Sequence, residues 1–232
     1  MDSFKKFGYV EKSAGAASDG QLAAINRLTL RELTAEEVFV FRVAACDDQV
    51  DRDFERFSET TLREMAPLFV GRTIIADHVW TARAQTARVF AAEVAHGADG
   101  VTRLILSAYM LRTVGSAEVI AAIEGGILKE VSVAVGIGRA LCSVCGTDKR
   151  RAFCEHRPGF SYDGKLCSVE LVDCKDAYEL SFVAVPAQRE AGVVKQYGGE
   201  RGGRTSATPP PAALDPRQAA ELALLELSAA EL

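Results

Sequence analysis

Short runs of apolar residues, each bounded by Gly, Asp or Pro, dominate the chain between residues 36 and 195. Runs of this length that are rich in Val, Ile and Phe are typical of β-strands. The pattern predicts seven strands: EVFVFRVAA (37–45), RTIIADHVW (72–80), ARVFAAEVA (87–95), VTRLILSAYML (101–111), KEVSVAVGIG (129–138), KLCSVELVD (165–173) and YELSFVAVPA (178–187).

Two segments between these strands have helical spacing instead. SETTLREMAPLF (58–69) begins with Ser58 as the N-cap, and its apolar residues recur near every third position. GSAEVIAAIEGG (115–126) has Ser116 as the N-cap and stops at a pair of glycines. Seven strands with two helices favour a mainly β fold with a few helices, a β-barrel or sandwich over residues 37–195.

The flanking segments differ in composition from this domain. Residues 1–35 form a polar, Ala-rich N-terminal arm, with a weak capping signal at Thr34. The globular domain covers residues 36–197 and is followed by a Gly/Pro/Ser-rich linker at 198–214. Residues 215–232 are predicted as a short C-terminal helix capped at Asp215, with Pro in its first turn.

The overall composition narrows the class of protein. With 232 residues, 48% hydrophobic and 25% charged, the chain fits one globular domain plus tails. A net charge of −5 without a dense Lys/Arg stripe argues against a nucleic-acid partner. No run approaches the ~20 apolar residues of a membrane span, and the N-terminus lacks the apolar core of a secretory signal. We therefore expect a cytoplasmic protein whose cysteines stay reduced.

The segment CSVCGTDKRRAFCEH carries four soft ligands at the spacing of a metal site. Cys142 and Cys145 form a CxxC pair, and Cys154 and His156 follow within fifteen residues. Such a set predicts a structural zinc site in an excursion between two strands, the zinc knuckle of residues 142–156. The alternative to His156 as the fourth ligand is Cys167, which lies in the next predicted strand. Four protein ligands leave no open position for catalysis, which argues against a zinc hydrolase.

The strand at 129–138 has one unusual member. Under strand alternation Val131, Val133 and Val135 share one face, whereas the other carries Glu130 at its start and otherwise only Ala and Gly around Ser132. This hydroxyl either bonds a neighbouring carbonyl, as in many half-exposed strands, or is a nucleophile on a face cleared for substrate.

A nucleophilic serine needs a base and an orienting acid. His96 is expected in an exposed turn, so His78 is the candidate base, sharing a strand face with Ile74, Ala76 and Trp80. Glu179 is the candidate acid, because a carboxylate within a strand is costly to bury unless it is paired. The competing acids are Asp77, Asp173 and Asp176.

The order of these pieces resembles the caudovirus prohead (procapsid maturation) serine proteases. The resemblance covers residues 37–195 and lies in the opening DDQVDRDFERFSETTLREMAPLFVGRTIIADHVW (47–80), the segment GGILKEVSVAV (125–135) and the closing ELSFVAVPAQREAGVVK (179–195). It implies a herpesvirus-protease-like β-barrel with His78 as base and Ser132 as nucleophile. The zinc knuckle is not part of the family pattern. The herpesvirus enzymes use a second histidine as the third member of the catalytic triad. Here that histidine could only be His156, which is assigned to zinc, so Glu179 is taken as the third member instead.

The resemblance also implies a biological setting. The protein would cleave capsid and scaffold proteins during prohead maturation, with major capsid, scaffold and portal proteins and its own chain as partners. It would act in the host bacterial cytoplasm, inside the procapsid, with structural Zn²⁺ and no catalytic cofactor, and homo-oligomer formation is left open. The alternative is a non-catalytic phage structural or assembly protein of the same barrel fold with a structural zinc site.

Overall fold

The computed structural model describes residues 3–184, with side chains from residue 16 onwards. The chain divides into two units, Met1–Gln196 and Tyr197–Leu232. The predicted linker at 198–214 and the predicted C-terminal helix at 215–232 lie outside the described residues.

The described part is a mixed α/β structure made mostly of strands, as the apolar pattern predicts. Three α-helices lie among ten strands within residues 3–184. The helices are α1 (Asp19–Asn26), α2 (Glu59–Phe69) and α3 (Ala117–Glu124). The strands are β1 (Ser3–Gly15), β2 (Val38–Asp47), β3 (Glu55–Phe57), β4 (Thr73–Ala76), β5 (Ala87–His96), β6 (Thr102–Leu111), β7 (Glu130–Cys142), β8 (Ser161–Tyr162), β9 (Lys165–Leu166) and β10 (Val169–Phe182).

Eight of these strands form one sheet in the order β3-β10-β4-β5-β6-β2-β1-β7, and β10 pairs in addition with β7. The pairings are antiparallel except for those of β10 with β3 and with β4, which are parallel. Strands β8 and β9 form a separate two-stranded hairpin. Strand β10 therefore has β7 on one edge and both β3 and β4 on the other.

The predicted strands 165–173 and 178–187 do not form two separate sheet strands. Residues 169–182 form the single strand β10, which keeps its pairing with β7 through two register shifts, between Cys174 and Asp176 and between Ala177 and Glu179. Such bulges bend a strand without ending it. The second of them lies immediately before Glu179.

The two predicted helices are present and pack against the core. The Ser58 hydroxyl accepts from the Thr61 amide at the start of α2, as its N-cap position predicts. The helix buries Leu62, Met65 and Phe69 completely. Ser116 occupies the N-cap position of α3 but makes no capping hydrogen bond to it, because its hydroxyl bonds back to the preceding 3₁₀ turn instead.

The predicted N-terminal arm contains regular structure. Strand β1 pairs with both β2 and β7, and its backbone opposite Ser132 is that of Phe7. Helix α1 follows, capped by Ser18 through a capping box with Gln21. The weak signal at Thr34 caps a 3₁₀ turn at Ala35–Glu37. The polar composition concealed β1 because its sequence, SFKKFGYVEKSAG, lacks a continuous apolar run.

Candidate functional site

Two neighbouring strands carry the serine and the acid. In the β7–β10 pairing Ser132 lies directly opposite Ser181, and Glu179 lies opposite Ala134. Val131 and Val133 belong to the main core, so Ser132 between them faces the other side of the sheet. Leu180 is also in that core, which places Glu179 and Ser181 on the same side as Ser132.

His78 lies in a tight turn rather than in a strand. Strand β4 ends at Ala76, so the predicted alternation that put His78 on one face with Ile74, Ala76 and Trp80 is wrong. Asp77 and His78 both have positive φ, 50° and 54°, a left-handed conformation that costs free energy in residues other than glycine. This turn redirects the chain so that the His78 ring lies over β10 and β7.

The backbone of this strained turn donates two hydrogen bonds to strand β10. The Asp77 amide donates to the Phe182 carbonyl at 2.9 Å. The His78 amide donates to the Ser181 hydroxyl oxygen at 2.8 Å. Ser181 is fully buried. Sequence reasoning gave Ser181 no role, although it lies two residues after Glu179 and so on the same strand face.

The His78 ring bridges Glu179 and Ser132. Its Nδ1 lies 2.6 Å from Glu179 Oε1, and its Nε2 lies 3.0 Å from Ser132 Oγ. An ionised carboxylate only accepts hydrogen bonds, so a neutral imidazole beside it holds its proton on Nδ1 and leaves Nε2 to accept the serine hydroxyl proton. The structure thus brings together the three side chains that the sequence singled out.

This arrangement lies in a buried environment. The side chains of His78 and Glu179 are 12% and 3% exposed. Glu179 Oε2 is buried and has no hydrogen-bond partner among the described residues. A buried carboxylate next to one imidazole stabilises the imidazolium form, which is what a general base becomes after it accepts a proton.

The competing acids are engaged elsewhere or exposed. Asp176 forms an ion pair with Arg72 at 2.7 Å, and Asp173 pairs with Lys175. Asp77, adjacent to His78, is exposed. His96 is exposed as expected, but it is the last residue of β5, paired with Thr102, rather than part of a turn.

The cleared face around Ser132 is partly filled by the protein's own side chains. A Cβ at Gly136 would lie 2.8 Å from the Tyr178 hydroxyl oxygen. A Cβ at Gly138 would meet the Asp173 carboxylate. Ser132 itself has no exposed surface. These glycines therefore make room for β10 side chains, and the interpretation that they clear the strand for substrate is wrong at both positions.

Four side chains of the zinc knuckle could hold a metal ion. One ligand atom from each of Cys142, Cys145, Cys154 and His156 lies within 4.8 Å of all the others. Cys154 Sγ is 3.5 Å from both Cys145 Sγ and His156 Nδ1. Sulfurs bound at 2.3 Å to a tetrahedral zinc lie about 3.7 Å apart, so the four atoms fit around one such ion.

A tight backbone turn at the end of β7 brings the ligand residues of the zinc knuckle close together. Strand β7 ends at Cys142, and the Gly146 amide donates to the Cys142 carbonyl at 2.8 Å, with Gly146 at a positive φ of 73°. Hydrogen bonds from Thr147 lower the pKa of the Cys145 thiol to about 6. Because the thiolate is the metal-binding form, Thr147 favours ligation.

The substitute ligand, Cys167, lies beside this cluster and is not one of its four members. Its sulfur is 3.9 Å from that of Cys142, and it is completely buried. Burial raises the pKa of the Cys167 thiol, which disfavours the thiolate. The rings of His156 and Tyr162 pack at nearly a right angle with their centroids 4.5 Å apart, and this contact orients the His156 ring.

Comparisons with known proteins add no relative. The chain matches no protein-family model, no curated protein and no solved structure. None of the helices within residues 3–184 combines the length and the apolar character that crossing a bilayer requires.

Proposed function

We propose that this protein is a serine endopeptidase with Ser132 as nucleophile, His78 as general base and Glu179 as the orienting acid. The observation that carries the proposal is the His78 ring, which contacts Glu179 through Nδ1 at 2.6 Å and Ser132 through Nε2 at 3.0 Å. Nucleophile, base and orienting group within hydrogen-bond reach are the signature of nucleophilic catalysis.

The chemistry follows from the order of these contacts. Ser132 Oγ attacks the peptide carbonyl carbon as its proton passes to His78 Nε2, and Glu179 stabilises the imidazolium. The C–N bond then breaks, and His78 returns the proton to the leaving amine. Water attacks the resulting ester with His78 again as base, which releases the acid and restores the Ser132 hydroxyl.

A phosphonylating probe tests this chemistry without a known substrate. With a fluorophosphonate, the Ser132 Oγ–P bond forms, the P–F bond breaks, fluoride leaves and the hydroxyl proton goes to His78. We expect mass spectrometry to find one adduct, on Ser132, that is absent in Ser132→Ala and at least a hundredfold slower in His78→Ala. Ser168→Ala, which truncates another buried serine, serves as the matched control. An unlabelled wild-type protein would refute the proposal.

The resemblance to prohead proteases supplies the proposed setting. We infer a herpesvirus-protease-like barrel, supported by the pairing of β7 with both β1 and β10. The proposed substrates are capsid, scaffold and portal proteins and the chain itself, cleaved inside the procapsid in a bacterial cytoplasm. Co-expression with neighbouring capsid and scaffold proteins should give shortened products with wild type and none with Ser132→Ala.

We also propose that Cys142, Cys145, Cys154 and His156 hold a structural Zn²⁺. The proximity of their four ligand atoms supports this, and a soft, fully protein-supplied set suits zinc in a closed site. Metal analysis of protein purified under reducing conditions without chelator should give one zinc per chain. A zinc-free protein would contradict the assignment.

A second function is favoured by the complete burial of Ser132. A non-catalytic assembly protein of the same fold would need no path to this hydroxyl and would keep the zinc site for stability. The two functions differ in the labelling experiment, because only the protease forms the Ser132 adduct.

A further inference from the structure

A cavity of about 310 Å³ lies next to Glu179, on the same side of the sheet as Ser132. Its base is formed by Thr73 and Ile75 of β4, which alternate with the core residue Ile74 and so face away from the core. Glu179 belongs both to this lining and to the contact with His78. Glu179 is therefore shared between the lining of the cavity and the candidate triad.

Two aromatic rings form one wall of the cavity. Trp80 and Tyr178 lie 5.7 Å apart between ring centroids, tilted by 52°. Trp80 is the chain's only tryptophan, is 60% exposed and lies two residues after His78. Large exposed aromatic groups beside a cavity are typical of binding surfaces, because burying them on binding is strongly favourable.

The polar side chains of the lining are already engaged within the protein. Arg72 donates to the Asp176 carboxylate, and the Thr81 hydroxyl accepts from the Ala84 amide. The Gln85 side-chain oxygen accepts from Arg88. The apolar surface of the lining is thus mainly that of the two rings, because Ile75 is only 2% exposed, and such a surface suits an apolar ligand group.

We propose that this cavity is a subsite for a large apolar side chain, aromatic or leucine-like, of a peptide substrate. The inference rests on the proposed serine peptidase function. It makes Trp80 and Tyr178 specificity-determining residues, and it places the recognised side chain on the Glu179 side of the triad.

The single tryptophan provides a direct readout of binding. Tryptophan emission, excited at 295 nm, is followed in the full-length protein during titration with acetyl-Ala-Phe-Ala-amide or acetyl-Ala-Gln-Ala-amide. We expect a saturable change in emission with the Phe peptide and at least about tenfold weaker binding of the Gln peptide, because only the Phe side chain buries a large apolar surface.

Two variants locate the binding in the cavity. Tyr178→Ala removes one wall and Thr73→Phe fills the base, and each should weaken binding of the Phe peptide at least fivefold. Phe160→Ala, which truncates an exposed aromatic residue outside the lining, should leave it unchanged. Circular dichroism establishes that each variant is folded.

The outcomes separate this inference from the proposed function. Equal affinity for the Phe and Gln peptides, or no change in emission, while Ser132 is labelled by a fluorophosphonate, overturns the subsite and leaves the peptidase standing. A response of Trp80 without any labelling of Ser132 overturns the peptidase, and with it the role of the cavity as a substrate subsite.

Discussion

At the residue scale, the site depends on a histidine held in an unfavourable backbone conformation. His78 and Asp77 both have positive φ, and the Ser181 hydroxyl accepts the His78 amide hydrogen at 2.8 Å. Without that acceptor, the part-buried His78 N–H loses its partner, and only one of the two backbone N–H groups that the turn donates to β10 remains hydrogen-bonded. Ser181 is thus a positioning residue for the candidate base.

Ser181→Ala is therefore expected to slow fluorophosphonate labelling of Ser132 about tenfold. Ser181→Thr, which keeps the hydroxyl, should recover most of the rate. The Ser168→Ala control should label at the wild-type rate. If Ser181→Ala and wild type label equally while Ser132→Ala stays unlabelled, Ser181 has no positioning role.

Glu179→Gln tests the acid at the same scale. Glutamine still offers an oxygen to His78 Nδ1, but it cannot stabilise the imidazolium by charge, so we expect labelling to slow by about 10²–10⁴-fold. Asp176→Asn, which removes the competing carboxylate paired with Arg72, should slow labelling far less. The reverse order of effects would assign the acid to Asp176.

At the element scale, the absence of a side chain at Gly136 on β7 leaves room for the Tyr178 side chain of the neighbouring strand β10. A Cβ at Gly136 would lie 2.8 Å from the Tyr178 hydroxyl oxygen. Gly136→Ala is expected to lower the free energy of unfolding by about 1–3 kcal/mol, measured by urea denaturation. The double variant with Tyr178→Phe should lose less than the two single variants added together, because the clashing oxygen is gone. If the losses in unfolding free energy of the two single variants simply add in the double variant, the contact with the Tyr178 hydroxyl is not the cause of the destabilisation by Gly136→Ala.

The knuckle is a second element whose order depends on a few ligands. Cys145→Ser should abolish binding of the proposed zinc ion and loosen residues 140–165, while β2, β5 and β6 remain folded, because none of them contributes a ligand. Limited trypsin digestion at the exposed Arg150 and Arg151 should accelerate, with zinc content measured in parallel. Cys174→Ser is the matched control, because Cys174 lies outside the ligand set.

Periodicity predicts the elements that have a continuous apolar run and misses those that do not. β2, β6 and β7 follow their apolar runs, whereas β1 mixes Phe, Lys and Glu without a continuous apolar run and is paired with both β2 and β7. The candidate site residues His78, Ser132 and Glu179 were predicted from residue type and context, and the first two also from the resemblance to prohead proteases. Their contacts depend on the turn at Asp77 and the bulge before Glu179, which are long-range features that spacing along the chain does not contain.

At the scale of the whole molecule, β1 covers the edges of two strands that are far apart in sequence. Deletion of residues 1–15 would leave the neighbouring edges of β2 and β7 unpaired. Unpaired edges template association, so the truncated protein should aggregate on size-exclusion chromatography while full-length protein elutes as a defined species. A truncated protein with unchanged elution and unchanged thermal midpoint would contradict this role of β1.

The position of β10 in the chain also has a consequence during synthesis. Ser132 lies on β7 and His78 follows β4, but Glu179 and Ser181, which join them, lie near the end of β10, the last described strand. A ribosome therefore releases the candidate nucleophile and the candidate base before the groups that contact His78. On the proposed function, the growing chain has no assembled triad until β10 has emerged and paired with β4 and β7, so it cannot cut itself or its neighbours while it is still being made.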